Sequence, residues 1–239
     1  MNSNRFRPID GAPPAKAFKA TVREVHVSES VVAIEPVAPG QAQQKVCGTM
    51  NRMHTPPAEE QLVIVAEQLG RIPRGVLAIV YTTPDNQPAV VKTAPKLDDG
   101  TPFPTLYYLT DPRLTAEASR LEVAQVMKWM EARLNADSDE GEALRRDYQA
   151  AHEHFLAERN AIEDLGTDFS GGGMPERVKC LHVLIAYALA EGPERVRFGT
   201  EAVALAAEHG NLRGTAIPED WPTLEDLGIT LAEAGEGLE

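Results

Sequence analysis

SGGGMPERVKCLHVLIAYALA, residues 170–190, sets a glycine run directly before a helical pattern that is apolar on nearly every face. Val178, Leu181, Ile185 and Ala188 fall on one side at helical spacing, and Cys180, Leu184 and Tyr187 fall on another. A helix without a polar face has no side to give to water, so it must be central and covered from several directions. The spacing predicts that it runs from Pro175 to about Ala190 and stops at Gly192-Pro193.

The covering elements are read outward from it. Leu114, Ala118, Leu121, Val123, Val126, Met127, Met130 and Leu134 form the stripe of one long amphipathic helix that begins at Pro112. Leu144, Tyr148, Ala151, Phe155 and Ile162 form a second stripe, and the acidic, Gly-containing residues 137–141 between the two predict an antiparallel helical hairpin. A further helix is expected over residues 201–208. Upstream, residues 76–82, 89–93 and 105–110 read as short strands. Their connectors, 84–88 and 98–102, carry Pro with Asp or Asn and are too short for a parallel crossover, so a meander is expected. Pro57, Glu59 and Glu60 open a helix with the stripe Leu62, Val65, Ala66 and Leu69, and Gly70 closes it.

The expected fold class is α+β: a small antiparallel sheet of about three strands, packed against a helical layer with a long helical hairpin and a buried central helix. Residues 57–210 form this single domain. Residues 1–56, rich in Pro, Ala, Gln and Gly, are read as a mostly disordered extension, with a small hairpin from 21–27 and 30–36 as the competing reading. In the C-terminal segment 211–239, residues 215–239 hold Glu219, Asp220, Glu225, Asp226, Glu233, Glu236 and Glu239 without a base. They are read as an acidic strap and tail, attached through Trp221 and Leu224 and disordered over the last ten residues.

Composition excludes several classes of function. A net charge of −13 over 239 residues argues against general nucleic-acid binding, which needs a basic surface. The longest apolar run, residues 76–81, is far short of the roughly 20 needed to span a membrane, and no secretory signal pattern opens the chain. A cytoplasmic protein with reduced thiols is expected, since Cys47 and Cys180 are the only cysteines.

Two chemistries compete for the opening stretch. Glycines ahead of a helix N-terminus let an anion approach free backbone N–H groups, and Arg177 and Lys179 add charge. Lys92 and Arg120 would complete a pocket with Gly171, Gly172 and Gly173 for a phosphorylated small molecule, although the order of a nucleotide phosphate loop is missing and Pro175 removes a donor. The bland reading is a flexible connector. Cys180, His182 and Glu122 are the candidates for catalysis, as nucleophile or as acid and base. Their plain readings are a buried thiol, a hydrogen-bonded core histidine and, for Glu122 and Arg120, a partly buried ion pair with strand residues that fixes how the long helix docks on the sheet. No metal site is expected, because residues two apart on a helix point about 200° apart, so Cys180 and His182 would not share an ion. No cofactor is indicated.

Three blocks occur in order: 90–95 (VVKTAP), 99–110 (DGTPFPTLYYLT), and Gly172-Gly173-Met174-Pro175 followed by 177–182 (RVKCLH). Together with Ser119-Arg120-Leu121-Glu122 they resemble the domain of unknown function 501 family over roughly residues 58–208. The resemblance implies an actinobacterial setting and no defined activity. It also implies gene neighbours of division-septum and exopolyphosphatase type, and a cysteine in many relatives where this chain has Asp111. The expected function is binding of an anionic, phosphorylated small ligand at the glycine run. The alternative is a non-enzymatic interaction protein with a protein partner, linked to cell division or envelope growth.

Overall fold

The structure, a computed structural model, describes residues 56–238. The expected disorder or hairpin near the N-terminus, and Cys47, lie outside the described residues. By its internal contacts the chain divides into residues 1–50 and 51–239, and the description concerns the second unit.

Helix α1 (Glu59–Leu69) starts where Gln61 reaches back to the Ala58 N–H at 3.1 Å, and it ends at Gly70 in the left-handed conformation. Strands β1 (Val76–Thr82), β2 (Pro88–Thr93) and β3 (Tyr107–Leu109) form the expected antiparallel meander in the order β1-β2-β3. Thr83 closes the first turn, its Oγ1 accepting from the Gln87 N–H at 2.9 Å. The middle strand β2 is buried throughout, and Lys92 on it pairs in register with Tyr107.

Helix α2 (Pro112–Val123) is capped by Asp111, whose carboxylate accepts from the Arg113 and Leu114 N–H groups. The long helix expected from Pro112 to Leu134 is two helices. Gln125 adopts φ 67°, and α3 (Val126–Leu134) sets off in a new direction after it. Leu114, Ala118 and Leu121 before the break and Val126, Met130 and Leu134 after it face one core, so periodicity alone did not reveal it; Val123, counted in the stripe, is exposed at the end of α2. The hairpin is made by α3 and α4 (Asp139–Asn160), the latter capped by Ser138.

Helix α5 (Leu181–Glu191) is the predicted central helix, but it starts six residues after Pro175. Hydrogen bonds within residues 171–179 explain the delay. Arg177 N–H donates to the Gly173 carbonyl at 2.9 Å and Lys179 N–H to the Gly172 carbonyl at 2.7 Å, which folds the run into a closed loop. Gly172 and Gly173 take φ +69° and +97°, where a side chain would be strained. Cys180 follows in extended backbone, φ −155° and ψ 111°, as the N-cap.

Helix α5 is covered as expected. Tyr187 stacks on Tyr107 of β3 at 5.3 Å, and Phe155 of α4 meets both rings edge-on. Helix α6 (Arg197–His209) crosses the other side, where Gly199 lets the backbones approach. The C-terminal segment is ordered to Leu238, against the expected disorder of its end. It forms the short helices α7 (Leu224–Leu227) and α8 (Leu231–Ala234). Trp221, Ile229, Ala234 and Leu238 are buried, and the Trp221 indole N–H donates to the Thr200 carbonyl at 3.3 Å. Several of its acids sit in first turns beside the capping residues Thr223 and Thr230, where carboxylates favour the helix dipole. Among the described residues no helix is long and apolar enough to cross a membrane.

Gly199 tests the close crossing. A Cβ there would lie 2.4 Å from the Leu184 carbonyl oxygen, a backbone atom that cannot rotate away. Gly199→Ala gains about 1 kcal/mol of helix propensity, but the overpacking costs about 1–3 kcal/mol. A net loss of stability, read as a lower urea midpoint at unchanged slope, is the expected outcome.

Candidate functional site

Glu122 ends the exposed side of α2, and its Oε1 accepts from two groups at the head of α5: the Leu181 N–H at 2.8 Å and His182 Nδ1 at 3.1 Å. The carboxylate thus satisfies a helix-terminal donor and holds the imidazole in one orientation. The other ring nitrogen, Nε2, lies 3.3 Å from Ser119 Oγ, which itself donates to the Thr115 carbonyl. Cys180, half-buried, joins this group. A carboxylate oxygen of Glu122, Cys180 Sγ and a ring nitrogen of His182 all lie within 4.8 Å of one another.

The expectation that Cys180 and His182 diverge is corrected by the start of α5. A two-residue spacing separates side chains by about 200° only when both residues lie in the helix. Cys180 precedes it in extended backbone, so its side chain turns toward His182 instead of to the opposite face. The convergence with Glu122, some sixty positions earlier, had no local signature.

The hydrogen bond with Cys180 raises His182 most, burial opposes it, and Glu122 adds its hydrogen bond and charge. The net effect pushes the imidazole up to about 9. Cys180 and His182 open into a cleft of about 610 Å³ between β3, α1, α2 and the head of α5. Its walls include Gln68, Leu69, Thr105, Tyr108, Leu109, Thr110, Thr115, Ser119 and Val183. Among the described residues that line it there is no Lys, Arg, Asp or Glu.

The residues expected to hold an anion are spread elsewhere. Lys92 is buried and pairs with Glu158 at 2.8 Å. Arg120 is largely exposed and pairs with Glu117, which also meets His209 at 2.7 Å. Arg120 therefore pairs within its own helix and not with the anticipated strand residues. Arg177 and Lys179 are exposed, and neither is among the residues lining the cleft. The glycine run itself is packed tight: a Cβ on Gly171 would lie 2.4 Å from Val183 Cγ1, and one on Gly172 2.9 Å from Leu184 Cδ2.

The segment leading to the site is stapled to α4. Fully buried Arg159 donates to the Thr167 carbonyl at 2.5 Å and to the Phe169 carbonyl, His152 Nδ1 meets Ser170 Oγ at 2.9 Å, and Tyr148 Oη donates to the Arg177 carbonyl at 3.1 Å. These contacts, from four side chains spread over α4 and the loop, give Cys180 a rigid approach.

A raised histidine has a signed consequence. Its folded value of about 9 exceeds the ordinary 6.5, so the stabilisation it brings is complete below pH 6.5 and is lost as pH rises through about 9. In metal-free protein the His182 ring resonances are expected to titrate near pH 9, and Glu122→Gln is expected to move that midpoint down. A midpoint near the ordinary value in the unaltered protein would contradict the geometry.

Comparison with known proteins reaches the family level. No match is found among curated proteins or among solved structures. The family described as "Protein of unknown function (DUF501)" matches residues 79–204, which include Glu122, Cys180 and His182 and make up just over half of the chain. The chain belongs to the DUF501 family.

Proposed function

We propose that Cys180, His182 and Glu122 form a centre for a divalent transition metal of the zinc class, open to the cleft and acting on a small molecule bound there. The observation that carries the reading is the convergence of a thiol, an imidazole and a carboxylate within 4.8 Å from two separate parts of the chain. Ligand bonds to zinc are about 2.0–2.3 Å, so tetrahedral ligands sit roughly 3.3–3.8 Å apart, within small side-chain rotations of the present arrangement. Three protein ligands leave one position for water or substrate, the pattern of catalytic and not of structural zinc. A bound ion would polarise a carbonyl or lower the pKa of water in the cleft. Ser119 Oγ, 3.3 Å from His182 Nε2, helps to hold the ring in its orientation.

A second reading uses the same residues without a metal. Cys180 beside His182 is the arrangement of a cysteine nucleophile and its base, with Glu122 orienting the imidazole. An anionic ligand at the glycine run is the weaker reading, because the Arg177 and Lys179 N–H groups already bond carbonyls of the run. The interaction-protein alternative rested partly on a free acidic tail, and that segment is packed through Trp221, Ile229 and Leu238.

Metal analysis of the purified protein separates the readings. One zinc per chain is expected, lost in both Cys180→Ser and His182→Ala and bound markedly more weakly in Glu122→Gln, which removes the carboxylate ligand. Cobalt exchanged into the site should show a thiolate charge-transfer band that Cys180→Ser abolishes. No bound metal, together with rapid alkylation of Cys180 by iodoacetamide that His182→Ala slows, would replace the metal centre by the nucleophile.

A further inference from the structure

A second, smaller pocket of about 120 Å³ lies between the end of α1, the connector to β1 and the sheet. It shares Leu69 and Tyr108 with the large cleft, but Cys180, His182 and Ser119 do not line it. Its floor is Val91 and Thr93 of β2, both buried, and Thr93 spends its hydroxyl on the Thr105 carbonyl. Leu97, Phe103 and Tyr108 wall it, the two rings stacked with centroids 6.3 Å apart. The interior is therefore apolar, and apolar space of about 150 Å³ is enough to hold a benzene ring.

The charged groups at its mouth are all cationic. Arg71 and Arg74 line the pocket and are exposed, and no Asp or Glu lines it. Arg74 pairs with Asp99 at 2.5 Å, whereas Arg71 makes no ion pair among the described residues. The connector that carries both is held at its two ends. The Arg71 N–H donates to the Ala66 carbonyl at 3.2 Å and the Ala94 N–H to the Gly75 carbonyl at 2.7 Å, and Pro73 between them has a fixed φ. The guanidinium groups thus project from a set backbone, which lowers the ordering cost of binding. In a chain of net charge −13, an uncompensated arginine beside an apolar pocket fits an anion with an apolar body, and the planar guanidinium fork matches a carboxylate. We propose that this pocket binds a small organic carboxylate, whose single ring or branched aliphatic group rests on Val91 between Leu97 and Phe103 and whose carboxylate is received by Arg71. The site is separate from the Cys180–His182 centre and needs no metal.

Phenylacetate and phenylacetamide share size and shape, but only the first is charged. In calorimetry or ligand-observed NMR on the full chain at low salt, phenylacetate should bind about tenfold more tightly than phenylacetamide. Acetate, which has the charge without the ring, should not compete at equal concentration. Arg71→Gln should bring phenylacetate down to the level of the amide and leave the amide unchanged. Leu97→Trp, which fills the pocket from its partly exposed wall, should abolish binding of both. Nuclear Overhauser contacts from the phenylacetate ring are expected to the Val91 and Leu97 methyl groups. Absence of phenylacetate binding at millimolar concentration, equal binding of the two compounds, competition by acetate, a preference that survives Arg71→Gln, or ring contacts confined to the Cys180–His182 cleft would each overturn the inference. Arg71 is on the surface, so Arg71→Gln leaves the fold intact and decides the matter even where Leu97→Trp does not fold. The pocket takes no residue from the metal centre, so the failure of either proposal leaves the other standing.

Discussion

Glu122 Oε1 joins the end of α2 to the head of α5 by accepting from a backbone N–H and an imidazole at once. A helix buried on nearly all sides cannot leave its first N–H groups to water, and Cys180 at the N-cap makes no capping bond with its side chain. The donor at Leu181 is met instead by a carboxylate from another helix, at the positive end of the α5 dipole. A hydrogen bond to a charged group is worth about 1.5–3 kcal/mol when shielded, less here because Glu122 keeps some exposure. Its larger effect is geometric. It fixes where α5 begins, and that leaves Cys180 outside the helix and free to face His182.

The loop before Cys180 supports the same geometry. Three glycines at a helix head suggest an open cradle, but two of them sit in left-handed conformations and all three are packed within a Cβ's reach of other atoms. Their carbonyls take up the N–H groups that an anion would have used. Arg159 brings a full positive charge into the interior and spends it on loop carbonyls, holding residues 161–170 against α4. The run is therefore a closely packed spacer between α4 and α5 that sets the approach of the thiol. The charged residues around it face solvent.

The electrostatics of the cleft differ from those of the chain. A net charge of −13 does not extend to its walls, where hydroxyls, a carboxamide and aliphatic groups predominate. A zinc-class ion with a thiolate, a carboxylate and a neutral imidazole would carry no net charge, so the loaded site would attract neither sign strongly. Recognition in such a site would fall to directional hydrogen bonds from the hydroxyls of Thr105, Thr110, Thr115 and Ser119 that line the cleft.

Much of the architecture was legible in the amino-acid order. The three strands, their antiparallel meander, α1 with its Gly70 stop, the α4 stripe from Leu144 to Phe155 (Ile162 falls beyond the helix and is exposed) and the burial of α5 follow from periodicity, turn residues and caps, all of which act over a few neighbouring positions. Tertiary structure decided the rest. Gln125 breaks one apparent helix into two without a glycine or proline to announce it, and the acidic C-terminus is ordered because Trp221 and Leu238 find the core. The site depends on two such facts: the backbone angles of the single residue Cys180, and the packing of α2 against α5. A two-residue spacing means opposite faces inside a helix and convergence just before one, so local sequence named Cys180, His182 and Glu122 as reactive, but only the folded chain brought them together.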